Sequence, residues 1–514
     1  MDAGSETEVR NVKVSFLRTP VWLKVISLVS WATYLGSAAF LLRPVLLTAI
    51  AADDLINPFS QMYHAGTGIN EIFSRAWNSV SSTGHFNYVG QLFGSYIVAL
   101  WNYLIGNFGI RYSSVYAMTK FVVYLLTIEV SARLLRELIK TFKVVSQTWN
   151  LRIALLLLLA LSIQIHIPWS NDPVASYPLS GFLAVAIGLL YIYLVFRIFN
   201  KSTYLRACLT GIFGAIAVLY YEFNLFAVLS VTVLLVHWLW SHRGDKRAFI
   251  RVTTLSTLVI LPGLATTVFF YLKNNSASAN YTGTSVSFDT PFPKTFLQGI
   301  IGALPAGGWN MSFSWLPNPL SFNSSYIIQF VLGIVLVSLT YFSRPIRLAI
   351  HDKKNVTLFR VFVDISPLLI YWAGATMVQA STIKVQQEAI RIGQVYNYYA
   401  VGVVCLAIIV AYLFFLIDWR KIRLSLKVLL VAVVLSSGAF QYVINWNITN
   451  QFNMALSGNR NLLVAFADKP PMAQRCAAFE AWKAMGWPEY YWLDMELGMN
   501  ATYLEYHGFE FCSK

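Results

Sequence analysis

The stretch Val401-Gly402-Val403-Val404-Cys405-Leu406-Ala407-Ile408-Ile409-Val410-Ala411-Tyr412-Leu413-Phe414-Phe415-Leu416-Ile417 holds seventeen residues with no charge and no proline. Wound as a helix it is apolar on every side, which suits a membrane span of roughly 20 residues rather than the one-sided stripe of a soluble helix. Blocks of the same kind recur, Ile153 to Ile163 among them. Of the 514 residues 57% are hydrophobic and 12% are charged, against roughly a quarter charged in a soluble domain. A soluble fold has no interior large enough to hide that surface. The reading is an all-α polytopic membrane protein with lipid as its main solvent.

The net charge of +15 raises nucleic acid as a partner, but the cations sit in short segments between apolar blocks. These are Arg10 to Lys24, Arg133 to Lys143, Arg197 to Arg206, His242 to Arg251, Arg344 to Lys354 and Arg420 to Lys427. Such a distribution belongs to cytoplasmic loops under the positive-inside bias and points to membrane lipids, not nucleic acid. Placing all six inside pairs the helices expected at 151–167 and 178–198, 204–221 and 223–240, 250–272 and 325–343, and 358–378 and 396–417. A last helix at 425–445 ends outside. Between the first helix, which begins near Val21, and Arg133 lie two apolar stretches, 89–107 and 113–131, and parity lets only one cross. Laying 89–107 on the outer surface as a juxtamembrane helix gives about eleven crossings, with the N-terminus cytoplasmic and the C-terminus outside. No short apolar core with a cleavage site precedes Val21, so the first helix reads as retained.

The chain then divides into a transmembrane domain, 1–445, and a small extracytoplasmic C-terminal domain, 446–514. Helices are expected in that tail from Gln474 to Met485 and from Trp487 to Leu497; its core is marginal alone, so it is expected to pack on the membrane domain. The irregular outer segments are 51–112, 273–324, 379–395 and the tail, and binding or chemistry is expected there. Cys208 and Cys405 lie in apolar blocks, whereas Cys476 and Cys512 share the tail and are candidates for a disulfide if it is outside.

Three outer loops present carboxylates. Ala51-Ala52-Asp53-Asp54-Leu55-Ile56-Asn57-Pro58-Phe59 follows the first helix, His166-Ile167-Pro168-Trp169-Ser170-Asn171-Asp172-Pro173 is a second loop, and Tyr220-Tyr221-Glu222-Phe223-Asn224 is a third. Each alone reads as a solvated loop charge, but three acids flanked by Trp, Tyr and His resemble a polar pocket at the mouth of a helix bundle. In the loop from Gln379 to Asn397, Lys384 and Arg391 stand on the side opposite the positive-inside bias, and a phosphate head group is one reason for cations there. Partnership with Glu388 or anionic lipid is the other. Arg43, near the end of the first helix, is a second phosphate candidate or a snorkelling side chain. His64 and His85 offer hydrogen bonds, and Trp169, Tyr177, Tyr281, Trp309 and Trp315 offer rings to a sugar or to the interfacial belt.

The architecture over roughly residues 20–420 resembles the GT-C superfamily of integral-membrane glycosyltransferases. That family places an acid in the first outer loop, juxtamembrane helices after it and a long outer loop after the seventh helix. Asp53-Asp54, Gly68 to Asn107 and Lys273 to Ser324 occupy these places. The chain is also similar to the bacterial GtrII-like glucosyltransferase branch. It lacks a Trp-Trp-Asp-type sequence and a Pro-Pro-Leu element after the first loop, which turns expectation away from protein glycosylation. The resemblance implies a GT-C-like bundle in a bacterial plasma membrane with its active site outside. It further implies a polyprenyl-phosphate-sugar donor and a glycan or glycolipid acceptor. Asp53 is the implied base, with Asp54 orienting the acceptor or replacing it. Asp172 and Glu222 are to hold sugar hydroxyls or a basic neighbour, with His85, Trp169 and Tyr281 against substrate and Lys384 and Arg391 on the phosphate. No cofactor is implied, and a divalent ion between Asp53, Asp54 and Asp172 is the lesser alternative.

Two rivals share the composition. A secondary transporter or a flippase of a lipid-linked saccharide would carry ionisable residues near mid-membrane on broken helices, whereas these acids collect at one face. A polysaccharide polymerase or ligase relies on a late outer loop rich in Arg and His, and 379–395 has one Arg and no His. The topology is testable with single cysteines and an impermeant thiol reagent. Positions 53, 172, 222 and 391 are expected to react from one side and positions 133 and 247 from the other; opposite accessibility at 53 and 172 would dismiss a shared site.

Overall fold

A computed structural model describes residues 21–512 except 52, 60–72, 75, 79–84, 86, 141–143, 146–147, 167–171, 201–202, 275–284, 344–348, 351–356, 418 and 487–488. Among the described residues nine helices are long and apolar enough to cross a membrane: Lys24–Leu41, Tyr112–Lys140, Leu179–Ile198, Glu222–Ser241, Lys246–Leu272, Ser324–Phe342, Leu358–Ser381, Tyr398–Leu416 and Leu424–Ala455. Two shorter apolar helices, Thr148–Ser162 and Tyr204–Tyr220, lie among them. The protein is a helical polytopic membrane protein. The helix Tyr88–Phe108 is outside this set.

Most helices begin and end within a few residues of the sequence expectation, because chain apolarity sets both. Three membrane helices depart from it, and the tail helix expected to end at Leu497 runs to His507. The helix expected at 113–131 runs Tyr112–Lys140, since the charges of its last turns find partners: Glu129 takes Arg133 at 2.7 Å and Arg152 of the helix Thr148–Ser162 at 2.6 Å, and Lys140 takes Glu137 at 2.7 Å. The 223–240 span is broken into a turn, Glu222–Asn224, and two pieces, Leu225–Ser230 and Thr232–Ser241. The helix expected to stop at 445 runs Leu424–Ala455, so the domain boundary drawn at 445/446 falls inside it.

Small residues set the tightest helix pair. On Tyr204–Tyr220, a Cβ added to Gly211 would lie 2.0 Å from the Leu258 carbonyl oxygen of Lys246–Asn274. Close backbone approach of this kind replaces the hydrophobic driving force that lipid removes between helices. The first helix packs along Ser324–Phe342, where Thr340 donates to Thr33 at 2.8 Å. At one end of the bundle the short strands Val144–Val145 and Ala349–Ile350 pair antiparallel, which brings two basic segments together there.

At the other end the tail forms Ser457–Asp468, Met472–Lys483 and Glu489–His507. They do not enclose a core of their own. Phe466, Trp482 and Tyr503 are buried in one cluster with Phe59 of the first loop, Trp101 of Tyr88–Phe108 and Tyr112. Cys476 and Cys512 form a disulfide across 36 residues, a closure that restricts the unfolded chain by about 4 kcal/mol in the chain-entropy view. The tail helix lies so close to the first loop that a Cβ on Gly498 would meet the Phe59 carbonyl oxygen at 1.2 Å. Gly498→Ala is therefore expected to lift the tail off the first loop and speed limited proteolysis between 456 and 512 in detergent. Gly94→Ala, which meets nothing within 4 Å, is expected to leave the rate unchanged.

Candidate functional site

The turn at 172–177 is the centre on which the loops converge. Asp172 is fully buried. Its Oδ1 accepts the N–H groups of Val174 at 2.7 Å and Ala175 at 2.9 Å, and its Oδ2 accepts the backbone N–H of His166 and its Nδ1, both at 2.7 Å. A carboxylate offers about four lone-pair positions, and all are taken. Of the two roles expected for Asp172, holding sugar hydroxyls or a basic neighbour, its contact with the His166 ring matches the second, and its remaining bonds shape the turn. His166, also fully buried, stacks edge-on against Tyr399 with centroids 4.5 Å apart. Its Nε2 has no partner among the described residues and faces Gly308, whose missing side chain leaves the space it needs.

Asp54 approaches the same turn from the first loop. Its Oδ2 accepts from the Tyr116 hydroxyl and, at 2.6 Å, from the backbone N–H of Tyr177. Tyr177 sits at φ +58°, a conformation side chains other than glycine adopt rarely and that accumulates at functional sites. Asp53 heads the one-turn helix Asp53–Ile56; its side chain, together with His64, Trp169 and Tyr281, lies outside the described residues. The structure thus brings Asp54 and Asp172 to one turn by different routes.

Lys120 is the residue the sequence reading missed. It is fully buried on the Tyr112–Lys140 helix, about two turns from its start, where Nζ donates to Thr48 Oγ1 at 2.6 Å and to the Val45 carbonyl at 3.4 Å. The ammonium also lies 4.7 Å from the centre of the Tyr116 ring, the ring whose hydroxyl holds Asp54. The signal was available: one lysine inside the apolar run 113–131, and an ionisable residue within a span is a functional candidate by default.

Glu222 forms the second half of the face. It accepts from His85 Nδ1 at 2.6 Å and is mostly buried. Beside it the Tyr221 hydroxyl accepts from Asn397 at 2.7 Å, and Asn397 reaches Ser180 Oγ at 3.4 Å. Lys384 is half-buried on the short helix Ile383–Glu388 and lies near enough to His85 to oppose its charging. Arg391 is exposed, and Glu388 accepts from the Tyr396 hydroxyl. The late loop is stitched to the long one: Ile383 N–H donates to Ser285 at 2.9 Å and Ser287 N–H to Ser381 at 2.8 Å. Trp309 packs against Phe440 at 4.9 Å between centroids and donates to Gln441, a structural placement. Among the described residues no group of three His, Cys, Asp or Glu side chains is placed to hold a metal ion.

Protein-family models, curated proteins and solved structures were compared with this chain, and none matches.

Burial disfavours a charged His85 and Lys384 opposes it further, but the Glu222 carboxylate outweighs both and raises its proton affinity above the ordinary value. A group whose folded-state affinity is raised stabilises the fold fully below its unfolded pKa of about 6.5, and that stabilisation fades as pH rises through the folded value. The wild type is accordingly expected to melt higher than Glu222→Gln by the largest margin below about pH 6.5, with the margin shrinking toward alkaline pH. Melting curves across that range check this, and a margin that grows with pH contradicts it.

Proposed function

We propose that this protein is a membrane glycosyltransferase of the GT-C type, moving a monosaccharide from a polyprenyl-phosphate donor to a glycan or glycolipid acceptor on the extracytoplasmic face. The observation that carries the reading is the placement of the first-loop acids. Asp54, directly beyond the first membrane helix, is locked by Tyr116 and Tyr177 N–H to the turn that Asp172 shapes. Asp53 precedes it on the one-turn helix Asp53–Ile56. The tail disulfide supports an outer location for this face, because such bonds persist in oxidising compartments. Counting the two shorter apolar helices with the nine longer ones favours eleven crossings. The exposed Phe93, Tyr96, Leu100 and Tyr103 on one side of Tyr88–Phe108 favour an interfacial helix there.

In the proposed reaction an acceptor hydroxyl oxygen attacks the anomeric carbon. The bond from that carbon to the donor phosphate oxygen breaks, the phosphate leaves with the electron pair, and the hydroxyl proton passes to the Asp53 carboxylate. The leaving phosphate gains from fixed cations. Arg43, near the end of the first helix, is such a cation on this face, and Lys384 stands beside the His85–Glu222 pair. The Glu222–His85 pair, a carboxylate and an imidazole held together at 2.6 Å, supplies hydrogen bonds to sugar hydroxyls.

The buried Lys120 favours a second reading, a flippase or transporter of a lipid-linked saccharide, since such residues line translocation paths. Its partners Thr48 and Val45 at the end of the first helix keep it at the acid-bearing face, which suits the enzyme. Asp53→Asn is expected to lower sugar transfer by about 10²–10⁴-fold while donor binding stays unchanged. Transfer assays and donor binding on purified, detergent-solubilised protein separate the two quantities. Full activity in both Asp53→Asn and Asp54→Asn would remove the first loop from the mechanism.

A further inference from the structure

A cleft of about 730 Å³ opens between the end of the first helix, the start of Tyr112–Lys140 and the tail helix Ser457–Asp468. Its walls are apolar, with Leu46, Leu47, Met118, Phe121 and Leu463 among them, and three arginines line it: Arg43, Arg111 and Arg460. All three are exposed. Among the described residues Arg43 and Arg460 enter no ion pair, and Arg111 reaches only Asp468, at 3.6 Å with both side chains largely in the open. Each follows or precedes a membrane span at the acid-bearing end of the bundle, so the cations stand beside the hydrocarbon edge. An apolar trough rimmed by guanidinium groups is complementary to one ligand shape, a hydrocarbon chain carrying a phosphate. Its wall also touches the candidate site. Thr48 lines the cleft and accepts from Lys120, and Tyr112 lines it and donates to the Asp54 carbonyl at 3.4 Å.

We infer that this cleft seats the polyprenyl-phosphate end of the lipid carrier, with Arg43 and Arg460 on the phosphate and the first isoprene units along Met118 and Phe121. The inference rests on the glycosyltransferase reading and gives the phosphate a place distinct from Lys384. A bilayer phospholipid held only to fill the trough would need no adjacency to Asp54, whereas a phosphate that leaves a sugar must lie next to the acids. Guanidinium forks bind the phosphate oxygens in pairs, and the tail helix supplies one of them, which gives the tail and its disulfide a part in substrate binding.

The test measures binding of a polyprenyl phosphate to the full-length protein in detergent, with the dephosphorylated polyprenol and phosphatidylglycerol as competitors. The double variant Arg43→Gln with Arg460→Gln is expected to bind the polyprenyl phosphate at least tenfold more weakly at unchanged melting temperature, Lys384→Ala to bind it within twofold of wild type, and neither competitor to displace it. A polyprenyl phosphate carrying a photoreactive group in its first isoprene units checks the same point without any variant, by cross-linking to peptides spanning 117–121 and 460–464. Wild-type binding retained in the arginine variant, lost in Lys384→Ala, displaced by phosphatidylglycerol or cross-linked elsewhere overturns the cleft alone. No binding of polyprenyl phosphate to the wild type overturns both the cleft and the glycosyltransferase reading.

Discussion

The bond from the Tyr177 N–H to the Asp54 carboxylate ties two loops that are 123 residues apart. Lipid offers polar groups no partners, so the loop ends of a helix bundle must satisfy one another or face water. Asp54 does so for the first loop, Asp172 for the second, and Asn397 for the third and late loops through Tyr221 and Ser180. The tail then closes over the first loop because Gly498 lets its backbone touch Phe59. Asp54 fastens the first loop to the turn at 172–177, while the burial of Phe59 with Tyr112 and the tail seats the rest of that loop.

The membrane helices were legible because one property, apolar run length, determines both their existence and their ends. It failed where polar groups find partners. The last helix outruns its apolar segment by ten residues, from 445 to 455, because Asn445 donates to the Ile163 carbonyl, Thr449 to Pro44, and Asn453 to Leu47. Charge position indicated which ends of the helices share a face, and the pairing of 144–145 with 349–350 agrees with two basic segments lying together. The tail was legible as helical, yet not its shared core with the first loop, since contacts across roughly four hundred residues leave no local pattern.

The site was legible in residue type more than in role. Asp172 reads in the sequence as a holder of sugar hydroxyls or of a basic neighbour, and its four hydrogen bonds, all from groups within six residues, include the His166 ring. Glu222 and His85 were singled out for separate reasons and prove to be one pair. Lys120 is marked in the sequence only as the one lysine of the apolar block 113–131, where burying an ammonium is costly unless it finds partners. Arg43, weighed as snorkelling or phosphate-binding, turns out to share a cleft with Arg111 and Arg460, two residues that sequence distance separates from it.

The choice between transfer and transport rests on whether the bond from the sugar to the lipid phosphate breaks. The most direct measurement reconstitutes the purified protein in nanodiscs with a panel of radiolabelled polyprenyl-phosphate hexoses and candidate glycan acceptors, and follows free polyprenyl phosphate. Release of polyprenyl phosphate with label moving to the acceptor, abolished in Asp53→Asn, is the expected result. Movement of intact lipid-linked sugar across a sealed vesicle membrane, with no bond cleaved for any donor, would contradict it.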